Sequence, residues 1–128
     1  LSTTVLAVAG GAALGAVSRY LIDQLIQSRG ESVLPWGTFT VNMTGSLLFG
    51  FVLAASASDA IPSLAVAALG TGFCGSLTTF STLSYETLRL AESGARVYAV
   101  LNIAMTVLGG IILATLGWVL ALALWPLG

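Results

Sequence analysis

Inside an apolar segment covering residues 61–90, the stretch 70–86, GTGFCGSLTTFSTLSYE, is too rich in glycine and hydroxyl groups for an ordinary hydrophobic core. Gly70, Gly72 and Gly75 lie close together, and Ser76, Thr78, Thr79, Ser81, Thr82 and Ser84 follow around a single aromatic residue, Phe80. Glycine lacks the Cβ that penalises unusual dihedral angles, and serine and threonine hydroxyls satisfy freed backbone groups. The composition therefore suits a membrane helix that breaks midway and restarts. Such a break leaves bare backbone at bilayer depth, which is tolerated only where it is buried in protein or lines a polar cavity. The stretch is accordingly the first candidate for a permeation or binding site. Small residues also let two membrane helices pack closely, and both readings stand at this point.

The rest of the composition fixes the class. Of 128 residues, 57% are hydrophobic and 7% charged, and the mean hydropathy is +1.02, so the chain reads as an all-α integral membrane protein. All four basic residues are arginines and the net charge is −1, which leaves no basic surface for nucleic acid. Without a histidine, and with Cys74 as the single cysteine, there is no intrachain disulfide, no His-based triad or metal site, and no base to activate a nucleophile. The chain is not read as an enzyme. No GxxxxGK[ST] pattern points to ATP-driven pumping.

Hydropathy predicts one domain, residues 1–128, with four transmembrane helices at about 1–26, 35–55, 62–93 and 97–124, the third broken mid-membrane. In the first, Gly11 and Gly15 form a GxxxG face for close packing. Arg19 lies ~10 Å inside that helix's end, within snorkelling reach of the interface. The first loop carries Arg29 and Glu31, Pro35 is placed to open the second helix, and Trp36 fits an interfacial anchor. Thr38, Asn42 and Ser46 then recur at i, i+4, i+8, a polar stripe readable as interhelical hydrogen bonding or as the wall of a pathway. The third span ends near Ser93 and Gly94, a glycine suited to a C-terminal cap. Glu86 sits at the depth of Arg19, so the two are expected either as an ion pair that neutralises costly charges or as groups that attract an anion. Tyr98, Asn102 and Thr106 make a second polar stripe, with Gly109, Gly110 and Gly117 as helix contacts.

Taken together, GAALGAVSRY (11–20), WGTFTVNMTGSLLFG (36–50) and GFCGSLTTFSTLSYE (72–86) resemble the CrcB/Fluc family of fluoride channels, a likeness that spans essentially the whole chain. The TTFST block followed by Glu86 is its most specific part. The resemblance implies an antiparallel, dual-topology homodimer of four-helix subunits with two fluoride pathways at its interface. It implies a pathway lined by Asn42, Phe80, Ser81 and Thr82, a vestibule near Arg19, and a structural Na⁺ bound by the backbone carbonyls of Gly75 and Thr78 from both subunits. The residues agree with that chemistry. Fluoride is small and tightly hydrated, so a selective path replaces its water with short donors instead of one deep cationic trap. Asn42 and Asn102 offer amide N–H groups, Ser81, Thr82 and Thr106 offer hydroxyls, and Phe80 offers the positive edge of its ring.

Two features depart from the pattern. The family usually has TTFSTF, and here the last position is Leu83, which has no aromatic edge. Conduction with one Phe type, weakened conduction, or a related partner chain supplying the second ring each accommodate it. Arginines also cluster in and beside the first and third loops, which by the positive-inside rule predicts those loops cytoplasmic, whereas dual topology calls for little bias. A homodimer in inverted orientation is expected, with a related chain as inverted partner the alternative.

The expected function is passive, fluoride-selective export across a prokaryotic inner membrane, conferring fluoride resistance. The competing readings are a small four-helix proton-coupled exporter, which needs an essential membrane carboxylate, and a non-transporting assembly subunit. The first helix offers no carboxylate except Asp23 near its end.

Overall fold

The computed structural model of the chain describes residues 2–30 and 32–127. Glu31 of the first loop, and the terminal residues Leu1 and Gly128 of the expected domain, lie outside the described residues. Among those described, all regular structure is helical. Helix α1 spans Thr3–Gln27 and α2 spans Trp36–Ala57. The third span begins with α3, residues 63–77, which contains an α-helical turn (Ser63–Val66), a π-helical segment (Ala67–Cys74) and a second short turn (Gly75–Leu77). It resumes as α4, Phe80–Glu92, and α5 spans Arg96–Leu124. These make four stretches long and apolar enough to cross a membrane.

Local chemistry sets the boundaries. Ser2 caps α1, its Oγ accepting the Val5 N–H at 3.2 Å. Gly94, at φ 88, ends the third span as expected, with the Ala95 N–H donating to the Leu90 carbonyl at 2.8 Å. Pro35 stands one residue outside α2 and not at its first position. Asp59 carries the turn after α2 at φ 56, a left-handed conformation that Asp tolerates better than most residues.

Helix α2 is the most enclosed element, packed along α5 and also against α1 and α3, while α1 packs on α3 and α4 on α5. Glycine makes these approaches possible. A Cβ on Gly11 would run into the Ala68 carbonyl oxygen, one on Gly15 into Ser76 Oγ and the Phe73 carbonyl, and one on Gly72 into the Val8 carbonyl. Gly50 meets the Ala114 carbonyl and Gly117 the Leu47 carbonyl in the same way along the α2–α5 contact. The expected packing faces at Gly11/Gly15 and Gly109–Gly117 are thus observed. Side chains buried between helices are few and mostly small, among them Val41, Val52, Ala54, Ala55, Leu77 and Ala121. Leu14, Leu21, Val97, Val100, Ile111 and Ile112 point outwards, the inverse of a water-soluble bundle and the arrangement a lipid solvent favours.

The glycine-rich part of the third span behaves differently from the sequence expectation. Residues 70–75 remain helical, as a π-helix and the turn after it, and helical dihedrals are lost only at Thr78 (ψ 156) and Thr79 (φ −146, ψ 117). The reason is that Gly72 is occupied in admitting α1. The interruption falls instead where hydroxyls and a neighbouring amide replace the missing backbone bonds.

Candidate ion pathway

The interruption is held by one side chain of α2. Asn42, 7% exposed, accepts the Thr79 N–H on Oδ1 at 2.7 Å and donates from Nδ2 to the Thr79 carbonyl at 3.2 Å. Thr79 in turn caps α4. Its Oγ1 accepts the Thr82 N–H at 3.1 Å and donates to Thr82 Oγ1 at 3.0 Å, with Ser81 Oγ 3.4 Å away. Thr78 Oγ1 bonds back to the Cys74 carbonyl at 2.9 Å, and Ser76 Oγ crosses to the Ala12 carbonyl of α1 at 2.8 Å. The Thr79 hydroxyl serves the otherwise free Thr82 N–H at the start of α4, while the Thr78 hydroxyl adds a second bond to the Cys74 carbonyl, which already accepts the Thr78 N–H at 3.0 Å.

A groove of about 650 Å³ opens beside this interruption. It brings together Asn42, Ser46, Gly75, Thr78, Phe80, Leu83 and Thr106, contributed by α2, both parts of the third span, and α5. The Phe80 ring is 81% exposed, so nothing within the chain covers it, whereas Leu83 is 8% exposed and belongs to the wall. Ser81 is exposed and Thr82 half-buried on the first turn of α4. The expected stripe on α2 divides into separate roles. Thr38 is buried, Asn42 serves the interruption, and Ser46 Oγ donates to its own helix at the Asn42 carbonyl, 2.8 Å.

On α5 the stripe also divides. Tyr98 is partly exposed, at 43%, and Asn102, 3% exposed, donates from Nδ2 to Thr87 Oγ1 at 3.0 Å, outside the groove lining. Thr106 lines the groove, and its buried Oγ1 has no hydrogen-bond partner among the described residues. A buried hydroxyl without a partner is costly, so this atom marks a place where a ligand improves the structure.

Gly75 and Thr78 fit a cation held by carbonyl oxygens. Thr78 has left the helical dihedrals, which turns its carbonyl out of the ladder, and a Cβ on Gly75 would meet only open space. Backbone carbonyls at a helix interruption are hard oxygen donors of the kind Na⁺ takes.

Arg19 and Glu86 do not pair. Among the described residues, the charges that bear on Glu86 are Asp23 and Arg89, and its buried Oε1 has no hydrogen-bond partner. Matching depth on two helices does not ensure matching azimuth, which only packing determines. Glu86 instead lines a second cavity of about 760 Å³ at the loop end, with Gln27, Arg29, Trp36 and Arg89.

Sequence reasoning named Thr79 only as one of the hydroxyl cluster, and missed Gly45, Phe49 and Thr87. Thr79 was findable as a threonine before a helix start. Gly45, against which the Thr78 methyl rests, and Phe49, in the groove wall, have no signal apart from the tertiary contact.

Residues 6–118 match the family model described as CrcB-like protein, Camphor Resistance (CrcB). Similar proteins include a fluoride-specific ion channel FluC 1 from Frankia casuarinae, 52% identical over 94% of this chain and 97% of the relative. Another FluC 1 of that description, from Streptomyces avermitilis, is 50% identical over 94% and 97%. A fluoride-specific ion channel FluC from the archaeon Methanocaldococcus jannaschii is 45% identical over 90% and 91%.

Proposed function

Because the chain belongs to the CrcB family, we propose that it is a passive, fluoride-selective channel that lets F⁻ leave a prokaryotic cell across its inner membrane. The observation that carries this reading is the groove itself. It is a neutral, largely apolar wall at a helix interruption, with one uncommitted Asn42 N–H, an unpaired buried Thr106 hydroxyl and an uncovered phenylalanine ring, and no arginine among its lining residues. Such a surface replaces the water around a small anion without trapping it.

The pathway in this reading runs past Asn42, Phe80, Ser81, Thr82, Leu83 and Thr106, with Asn102 behind the wall and Arg19 and Glu86 towards a vestibule. One Asn42 N–H remains free after its bond to Thr79, the Ser81 and Thr82 hydroxyls turn about their own bonds, and Phe80 presents its ring edge. The groove is open on one side, which a second copy in inverted orientation closes. At that dimer interface the Gly75 and Thr78 carbonyls of both copies hold a structural Na⁺, which joins the two interrupted spans electrostatically. A negative-inside potential favours anion exit by ~2.3 kcal/mol per charge per 100 mV, so conduction needs no coupled energy source.

Fluoride efflux from liposomes containing only this purified chain, compared with chloride-loaded vesicles, tests the proposal. Fast efflux selective for F⁻ is expected, and absence of efflux from a folded dimer contradicts it. A second expected outcome separates pathway from scaffold. Thr106→Val removes a hydroxyl that has no partner, so thermal stability is expected to hold or rise by about 1 kcal/mol. Fluoride flux is expected to fall in the same variant, because the ion loses a donor. A loss of stability accompanied by full flux would remove Thr106 from the pathway.

A further inference from the structure

We infer that α2 is the template for the interruption in the third span, and that Asn42 and Gly45 act on the anion's path as positioning residues through Thr78 and Thr79. Two observations on different atoms carry this. First, the buried Asn42 carboxamide takes both polar groups of one residue, accepting the Thr79 N–H at 2.7 Å and donating to the Thr79 carbonyl at 3.2 Å. It stands in for the backbone neighbour that an extended residue inside a helical protein lacks. Second, Gly45 lies three residues further along the same face of α2, and the Thr78 Cγ2 methyl occupies the space where its Cβ would be. The amide fixes Thr79, and the missing side chain admits Thr78. Residues with bulk at position 45, or without a donor and acceptor at 42, leave the extended pair no seat.

The consequence reaches the groove through the chain. Thr79 is the cap of α4, joined to Thr82 by bonds of 3.1 and 3.0 Å. Its orientation therefore sets the first turn of α4, and with it the direction of the exposed Phe80 ring and of Ser81 and Thr82. Asn42 itself has committed its oxygen and one N–H to Thr79, leaving a single N–H for any ion. Ser46 Oγ, bonded to the Asn42 carbonyl at 2.8 Å, ties the same turn of α2 internally. Gly45 carries no polar side chain, so whatever it contributes to conduction passes through Thr78. The assignment rests on the fluoride-channel reading only for its flux measurement.

The test uses the full chain, compared as wild type, Asn42→Ala, Asn42→Asp and Gly45→Ala, with hydrogen exchange followed across residues 77–83 and fluoride efflux measured from liposomes. Asn42→Ala and Gly45→Ala are expected to speed exchange at the Thr79 amide about tenfold while α1 and α5 keep their protection, and to cut efflux by about tenfold or more. Asn42→Asp still accepts the Thr79 N–H but no longer donates, so its exchange rate is expected between those of wild type and Asn42→Ala, which keeps the question answerable if the alanine variant does not assemble. Lost efflux with unchanged exchange at Thr79 in Asn42→Ala would make Asn42 an ion ligand only and overturn the inference. Wild-type efflux and exchange in Gly45→Ala would overturn it equally. If the wild-type chain moves no fluoride, the channel reading fails, while the exchange measurements still decide whether α2 holds the interruption.

Discussion

Phe80→Ile is expected to cut fluoride efflux by about 10- to 100-fold while leaving the fold intact. The ring is 81% exposed in the single chain, so replacing it removes almost no intrachain packing, and stability should change by no more than about 0.5 kcal/mol. What the substitution removes is the positive edge of an aromatic quadrupole beside the groove. An interaction with a charged partner is worth about 1.5–3 kcal/mol, which corresponds to a drop of about 10- to 100-fold. Leu83 makes the expectation sharper. Because that position offers aliphatic carbon within the wall, Phe80 is the one ring of the TTFST block available for the proposed contact with an anion. Efflux measured with a fluoride electrode, alongside the elution volume of the purified variant, checks both halves. Undiminished efflux would mean that the aromatic edge takes no part in permeation.

The largest effect on folding is expected along the contact between α2 and α5. At Gly50 and Gly117 an added Cβ meets backbone carbonyl groups, Ala114 and Leu47 respectively, which cannot swing away as a side-chain tip can. Overpacking typically costs 1–3 kcal/mol, and with two backbones forced apart Gly117→Val is expected to lie at or above about 3 kcal/mol. Gly10→Val supplies the control, because a Cβ there has nothing within 4 Å. The same chemical change on the lipid-facing side of α1 should cost no more than the intrinsic helix preference, below about 1 kcal/mol. Thermal unfolding in detergent compares the two variants. Equal stabilities would contradict the view that close backbone approach holds the bundle together.

Several elements of this arrangement were legible in the residues. The four spans follow from hydropathy, and their observed ends, Thr3–Gln27, Trp36–Ala57, residues 63–92 and Arg96–Leu124, lie within two residues of the expected ones. Gly94 could be read as a cap because only an unusual backbone conformation makes a glycine useful after a helix. The GxxxG face of α1 and the glycines of α5 were readable as contacts, since small residues in an apolar helix have few other uses. The hydroxyl-rich stretch was readable as an interruption, although its position was not, because glycine serves both breaks and contacts. Gly72 turned out to serve a contact and Thr78–Thr79 the break.

The pairing of Arg19 with Glu86 shows where such reading ends. Counting residues along a helix yields depth, but the direction a side chain faces depends on how the helices rotate against one another. Glu86 consequently lines the loop-end cavity together with Arg89. The polar stripes illustrate the same limit. Spacing i, i+4, i+8 placed Thr38, Asn42 and Ser46 on one face, yet their partners differ, since Ser46 bonds within α2 and Asn42 reaches 37 residues ahead to Thr79.

Composition alone settles the solvent and the inventory: a chain with this much apolar surface and so few charges belongs in lipid, where each helix must satisfy its own backbone. Packing selects which atoms are left over from that requirement. Asn42 gives its oxygen and one N–H to the interruption, Leu83 is taken up by the wall and Asn102 donates to Thr87, while Phe80 stays uncovered and Thr106 Oγ1 has no partner among the described residues. A residue's donors are free for an ion only after its neighbours have taken their share, and the identity of those neighbours is a property of the packed bundle.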